Sequence, residues 1–367
     1  MAVYTSRIAK AQELMAQSGT ELLALSLGSN MRYLSGFTDE PGERLLLLLI
    51  PQEGNPVFIV PELYADQVHQ VSPFEDVRVW NDADDPTVLV KRTIADLGLR
   101  NPRVLADDTM WATFLLMLKE ALPQADVGLA SQVMVPLRSQ KTLDEIEHMA
   151  QAGTIADEAF AEVLKLKVSG MRELELATVL EEAMKEKGAE KVAFETLVAS
   201  GSNGALPHYR AGHRRIVSGD AIILDYGCRL QGYCSDISRT IVCGEPSPEI
   251  RTVYETVARA QEKAVQAVKP GVEAQTIDRI AREEIRRAGY GAQFIHRTGH
   301  GIGLDVHEAP YIVEGNDVAL QEGMTFSVEP GIYLPGKFGI RIEDIVAVTA
   351  TGGKRFNDCP RALQVVG

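Results

Sequence analysis

The sequence predicts a mixed architecture in two domains, an α/β domain over residues 1–133 followed by an α+β domain over residues 134–367. Three observations carry this. At 367 residues the chain is long enough to bury two cores. In the first third, short apolar runs alternate with amphipathic stretches, the pattern of strands interleaved with helices. Beyond Met134–Lys141 the order changes to long helices followed by Val- and Ile-rich strands, which is the grouping of an α+β domain.

In chain order, Ser6–Ser18 has helical periodicity and Glu21–Ser26 reads as a short buried strand. Leu45–Ile50 and Val57–Val60 are strands joined by a turn at Gly54-Asn55-Pro56. Val77–Trp80 and Val104–Ala106 extend the sheet, with helices over Val88–Leu97 and Thr109–Leu122. Asn30–Leu34 followed by Gly36-Phe37-Thr38 is expected to form a compact loop. In the second part Thr142 and Glu145 make a capping box that starts a helix running to about Lys165. A second helix spans Glu173–Lys187 and stops at Gly188. A third begins at Ser247-Pro248 and ends before Pro270-Gly271, and a fourth covers Gln275–Ala288.

Composition excludes several classes of function. Net charge is −14 with no basic cluster, so a nucleic-acid backbone would be repelled. The longest apolar run, Leu45–Ile50, is too short to span a bilayer, and no membrane association is expected. Four cysteines without a CxxC pair read as free thiols, and the expected location is the cytoplasm. His148, in a helix, and His213, in an Arg-rich turn, are expected at the surface.

Chemistry concentrates in the second domain. His296–Glu308, HRTGHGIGLDVHE, holds three histidines and two acids among three glycines. So many imidazoles suit a metal site or a proton relay. Acids also occur inside strand-like runs: Asp225 closes AIILD, Asp236 lies in YCSDISRTIV, Glu329 in MTFSVEPG, and Glu343 in IRIEDIV. A carboxylate buried without a partner takes up a proton rather than stay charged. Any one of these acids could pair with a neighbouring arginine, Asp236 with Arg239 or Glu343 with Arg341. Four of them with His300 instead call for divalent cations, and such sets hold two ions about 3.5–4 Å apart. Oxygen ligands with one nitrogen favour Mn²⁺, Co²⁺, Fe²⁺ or Zn²⁺.

LDYG, CSDISRT, GHGIGLDVHE, SVEPGIY and GIRIED resemble the pita-bread metallopeptidases, the group of prolidase, aminopeptidase P and methionine aminopeptidase. NMRYLSGFT and its surrounding sheet resemble the creatinase-like N-terminal domain. The resemblance implies two divalent ions held by Asp225, Asp236, His300, Glu329 and Glu343, with attack by a metal-bridging hydroxide. It further implies Glu329 as general base, His307 on the carbonyl oxygen, and His208, His296 and Arg341 around the substrate. Creatinase lacks these ligands. Small peptides, above all those with an Xaa-Pro bond, are the implied substrates, and a homodimer the implied assembly.

One position departs from the pattern. Some prolidases carry an arginine after His-Glu-x-Pro, where it grips the carboxylate of a C-terminal proline; here Tyr311 follows His307-Glu308-Ala309-Pro310. A phenol cannot form that bidentate ion pair. Either another cation (Arg210, Arg214 or Arg297) reads the carboxylate, or the enzyme takes longer peptides. An exopeptidase of other specificity, including a carboxypeptidase, is the alternative, and a non-catalytic binding module a more distant one.

Overall fold

The computed structural model describes residues 2–367, which form two compact units, residues 2–138 and Ser139–Gly367. In the first unit a six-stranded sheet has the spatial order Val77–Trp80, Val57–Pro61, Leu47–Pro51, Leu22–Ser26, Arg103–Ala106 and Asp126–Leu129. Its central strands are buried on both faces, which is why Leu22–Ser26 and Leu47–Pro51 read as continuous apolar runs. Helices Ala2–Ser18, Pro86–Asp96 and Ala112–Ala121 fall within a few residues of the expected positions. Asp85 caps the second of these by accepting from the Thr87 N–H, with Pro86 at the first helical position.

The expected loop at Asn30–Leu34 is instead a helix, Ser29–Ser35, with Met31, Tyr33 and Leu34 buried. Gly36, at φ 81, stops it by sending its N–H back to the Arg32 carbonyl. Arg7 lies 3.8 Å over the Tyr33 ring, so the segment is packed as structure rather than displayed as a loop. The edge strand Asp126–Leu129 has no sequence counterpart because it is only partly buried and Gly128 interrupts its pattern.

The second unit repeats one plan twice. Helices Leu143–Val163 and Glu173–Glu186 share a core with a four-stranded sheet ordered Gln364–Val366, Ile237–Cys243, Ala221–Tyr226, Leu197–Ser200. Helices Pro248–Gln266 and Ala274–Arg287 share another with a five-stranded sheet and with the hairpin Gly331–Leu334/Phe338–Arg341. The five-stranded sheet runs Glu308–Ile312, Gly299–Gly301, Thr325–Val328, Asp344–Thr349, Gly352–Arg355. The capping box at Thr142 is present in both directions, Thr142 with the Glu145 N–H and Glu145 with the Thr142 N–H. His148 departs from expectation: it is half-buried, and its ring stacks on Tyr233 at 6.0 Å between centroids.

The two sheets are tied by a buried ion network. Arg239, at 1% exposure, donates to Asp344 Oδ1 at 2.6 Å and to the backbone carbonyls of Ser238 and Glu343. Asp344 also accepts from Gln261 and Arg355. The partner of Arg239 is therefore Asp344 and not Asp236. Removing Arg239 leaves Asp344 with Arg355 but strips Asp344 Oδ1 and the Ser238 and Glu343 carbonyls of a buried donor, so Arg239→Met is expected to cost about 1–3 kcal/mol of stability. Urea unfolding of the metal-free protein measures this; a loss below about 1 kcal/mol would contradict the role.

Candidate metal centre

Asp225 lies near the end of Ala221–Tyr226, opposite Ser238 of the neighbouring strand. The other three acids stand where pairing is interrupted. Asp236 occupies the break between Tyr233–Cys234 and Ile237–Cys243, Glu329 directly follows Thr325–Val328, and Glu343 fills the gap between Phe338–Arg341 and Asp344–Thr349. The continuous strands expected across Asp236 and Glu343 are therefore broken at the acids themselves. Hydrogen bonds across the breaks hold the backbone: Glu343 N–H donates to Ser238 O at 3.0 Å, and Glu329 N–H to Thr298 O at 2.8 Å. Two glycines permit the close approach. A Cβ on Gly227 would stand 2.0 Å from Ser235 O, and one on Gly299 would stand 1.8 Å from Ser327 O.

His300 is fixed by its neighbours. Its Nδ1 meets the Gly301 carbonyl at 3.1 Å, and a carbonyl can only accept, so the proton sits on Nδ1. The lone pair on Nε2 is left pointing at Glu329 Oε1, 3.3 Å away, and Asp236 Oδ2, 3.7 Å away. Such a second hydrogen bond is how proteins set the tautomer of a metal-ligating imidazole. Ser327 Oγ accepts from the His300 N–H and donates to Glu329 Oε1, while Ser238 Oγ donates to Glu343 Oε2.

Arg341 anchors the opposite side. It donates to Asp225 Oδ2 at 2.5 Å, to Ser238 Oγ at 2.8 Å, to Tyr333 Oη at 3.0 Å and to Pro207 O at 3.1 Å. Glu343 is thus not its ion partner. Tyr333 in turn meets His296 Nε2 at 2.8 Å, and His296 Nδ1 meets Arg297 O at 2.7 Å. Both ring nitrogens of His296 are thereby spent within the protein.

Of the ten residues singled out from sequence, nine line one pocket of about 320 Å³: Asp225, Asp236, His300, Glu329, Glu343, His208, His296, His307 and Arg341. Tyr311 is not in its wall; it lies under Arg297, whose guanidinium carbon is 4.4 Å from the ring centre. His208 and His307 are exposed, and the His307 ring packs edge-on to His300 at 4.2 Å. Sequence reasoning missed Tyr333, although it ends the quoted SVEPGIY segment, and missed Ser238 and Ser327, whose hydroxyls orient the acids.

The electrostatics fit a cation. Asp225 Oδ1, Asp236 Oδ1 and Glu343 Oε1 are buried without any hydrogen-bond partner, and one donor atom each from Asp236, His300 and Glu343 lies within 4.8 Å of the others. Burial, then the charges of neighbouring carboxylates, pushes the carboxyls of Asp236 and Glu343 well above the usual range. Burial likewise raises Glu329 to about 7 and lowers His300 to about 3. Without a cation the site would hold protons in its place.

The second unit matches the model of metallopeptidase family M24 over residues 147–350, and residues 7–140 match the creatinase/prolidase N-terminal domain. The chain is 41% identical to the probable dipeptidase PepE of Mycobacterium tuberculosis, over 99% of this chain and 97% of that one. It is 35% identical to an Xaa-Pro dipeptidase of Lactobacillus helveticus, over 97% and 98% respectively. The crystal structure of a prolidase from Thermococcus sibiricus superposes with a TM-score of 0.96 at 43% identity, covering 99% of both chains. The chain belongs to metallopeptidase family M24, with a creatinase-type N-terminal domain, and the family implies divalent metal ions.

A pH dependence follows. Glu329, Asp236 and Glu343 ionise at higher pH when folded than when unfolded, so the stability they provide falls as pH rises toward their folded values. Buried His300, with its lowered value, contributes the opposite slope only below the ordinary histidine range. Metal-stripped protein should therefore melt at lower temperature at pH 8.5 than at pH 7, and added divalent cation should remove most of that difference. Thermal scans with and without chelator measure it; a metal-free melting temperature that rises over this interval would contradict the assignment.

Proposed function

We propose that this chain is a metal-dependent exopeptidase that hydrolyses Xaa-Pro dipeptides. The observation that carries the reading is the set of three unpartnered carboxylate oxygens, of Asp225, Asp236 and Glu343, in one pocket with His300. Asp236 and Glu343 each present an atom within 4.8 Å of the other and of His300. Its relatives named Xaa-Pro dipeptidase and prolidase support the substrate class.

In this reading Asp225, Asp236, His300, Glu329 and Glu343 hold two divalent ions, with Mn²⁺, Co²⁺ and Zn²⁺ the candidates. When bound, the ions polarise the scissile carbonyl and lower the pKa of water beside it. The protein groups do the rest. Glu329, whose Oε1 lies 3.3 Å from His300 Nε2 in the ligand set, takes the proton of the attacking water and returns it to the departing proline nitrogen. His307, edge-on to His300, donates to the carbonyl oxygen as negative charge grows there. His208 stands beside the substrate on a segment fixed by the Arg341 bond to Pro207 O. His296 offers a ring face rather than a hydrogen bond. Arg341 holds Asp225 in the ligand set.

Cytoplasmic location belongs to the same reading, supported by four buried free cysteines. A homodimer is the expected assembly, which sedimentation tests.

The decisive assay adds Mn²⁺, Co²⁺ or Zn²⁺ to metal-stripped protein with an Xaa-Pro dipeptide, an Xaa-Pro-Xaa peptide and an N-acetylated peptide. Hydrolysis of the dipeptide is expected. Cleavage of the longer peptide in preference would make the chain an aminopeptidase, and release of the C-terminal residue from the blocked peptide a carboxypeptidase. Glu329→Gln should lower kcat by about 10²–10⁴-fold. A variant retaining native turnover would overturn the role given to Glu329.

A further inference from the structure

An arginine at position 311 would have read a dipeptide's carboxylate, and the structure places a different arginine over that residue. Tyr311 pairs with His300 across the two strands, and Arg297 lies just ahead of the Gly299–Gly301 strand. From there the Arg297 guanidinium reaches over the Tyr311 ring, its carbon 4.4 Å from the ring centre. The backbone of Arg297 is pinned in turn by the hydrogen bond from His296 Nδ1 to its carbonyl.

Other candidate cations are already engaged. Arg341 is buried and spends its donors on Asp225, Ser238, Tyr333 and Pro207. Arg214 grips both oxygens of Asp220, at 2.6 and 2.9 Å. Arg210 is 77% exposed and pairs with Glu195 at 3.2 Å. Arg297 also lines the metal pocket, and among the described residues its guanidinium has no carboxylate partner and no hydrogen-bond acceptor. A half-buried guanidinium with five unspent N–H donors in a pocket is a built anion reader.

We propose that Arg297, held against Tyr311, binds the free α-carboxylate of the residue that follows the scissile bond. The contact with the ring consumes none of the guanidinium N–H donors, which remain for two parallel bonds to a carboxylate. The ring of Tyr311 serves as the platform and its hydroxyl is not needed. The site makes the pocket selective for substrates that end one residue past the cleaved bond. It rests on the Xaa-Pro dipeptidase reading and is tested separately from it.

The experiment measures kcat and KM of the metal-loaded protein for Ala-Pro and for its C-terminal amide. The native chain should prefer the acid by about 100-fold in kcat/KM, the worth of a charge-assisted bidentate pair. Arg297→Ala should lose about that factor on the acid, mainly through KM, and keep its rate on the amide. Arg297→Lys should fall between, because it keeps the charge without the fork. Tyr311→Phe should behave as native, whereas Tyr311→Ala should weaken the acid alone. Equal use of acid and amide by the native chain would overturn the carboxylate site and leave the Xaa-Pro reading standing. A proportional loss on both substrates in Arg297→Ala would likewise overturn it, marking Arg297 as structural. Hydrolysis of neither compound would overturn both readings.

Discussion

Four carboxylates gathered in a space that water scarcely reaches are the constraint around which the second unit is built. Arg341 offsets one of them, Asp225, and the rest face one another. Such a cluster is tolerable only with protons or cations present, so metal affinity and stability of this unit are linked. The fold answers by drawing the proposed ligands from both of its half-cores. Asp225 and Asp236 come from the four-stranded sheet and its break, while His300, Glu329 and Glu343 come from the second half. Neither half holds the set alone, and the Arg239–Asp344 pair fixes one against the other from below.

Polar chains then aim each group. From Asp225 the bonds run through Arg341 and Tyr333 to His296, ending on the Arg297 carbonyl. Because Arg341 can only donate and a carbonyl can only accept, the direction of every proton in the chain is determined: Tyr333 accepts from Arg341 and donates to His296 Nε2. A change at either end would turn the intermediate groups. The proposed ligand Asp225 and the backbone bearing Arg297 are thus coupled through fixed polar contacts, which a sequence cannot display because its links lie far apart along the chain.

The sequence made some of this legible and hid the rest for physical reasons. Long helices were read closely because their periodicity and caps are local signals, as at Thr142 and at Ser247-Pro248. The acids were conspicuous because they interrupt apolar runs, and nine of the ten named residues do meet in one pocket. What was not legible is pairing. Ion partners close in sequence, Asp236 with Arg239 and Glu343 with Arg341, were the natural guess, yet strand register gives these arginines to Asp344 and Asp225. The breaks at Asp236 and Glu343 were likewise invisible, since a strand with a gap has the same alternation as one without. The Ser29–Ser35 helix escaped because seven residues are too few for helical periodicity to stand out.

The two tasks of the pocket differ in how tightly the fold restricts them. A ligand carboxylate must present an oxygen to a shared point, so its backbone is held by bonds across both halves, and moving it by one residue would turn it away. A carboxylate at the pocket wall asks only for a cation within reach. Arg297 stands just ahead of the Gly299–Gly301 strand, and its long side chain reaches over Tyr311 of the neighbouring strand while lining the pocket. Placing the charge on the segment that leads into the His300 strand makes the aromatic ring its support rather than its substitute. The residue after His-Glu-x-Pro therefore does not by itself decide whether a chain of this architecture reads a free carboxylate; the face shared by both strands does.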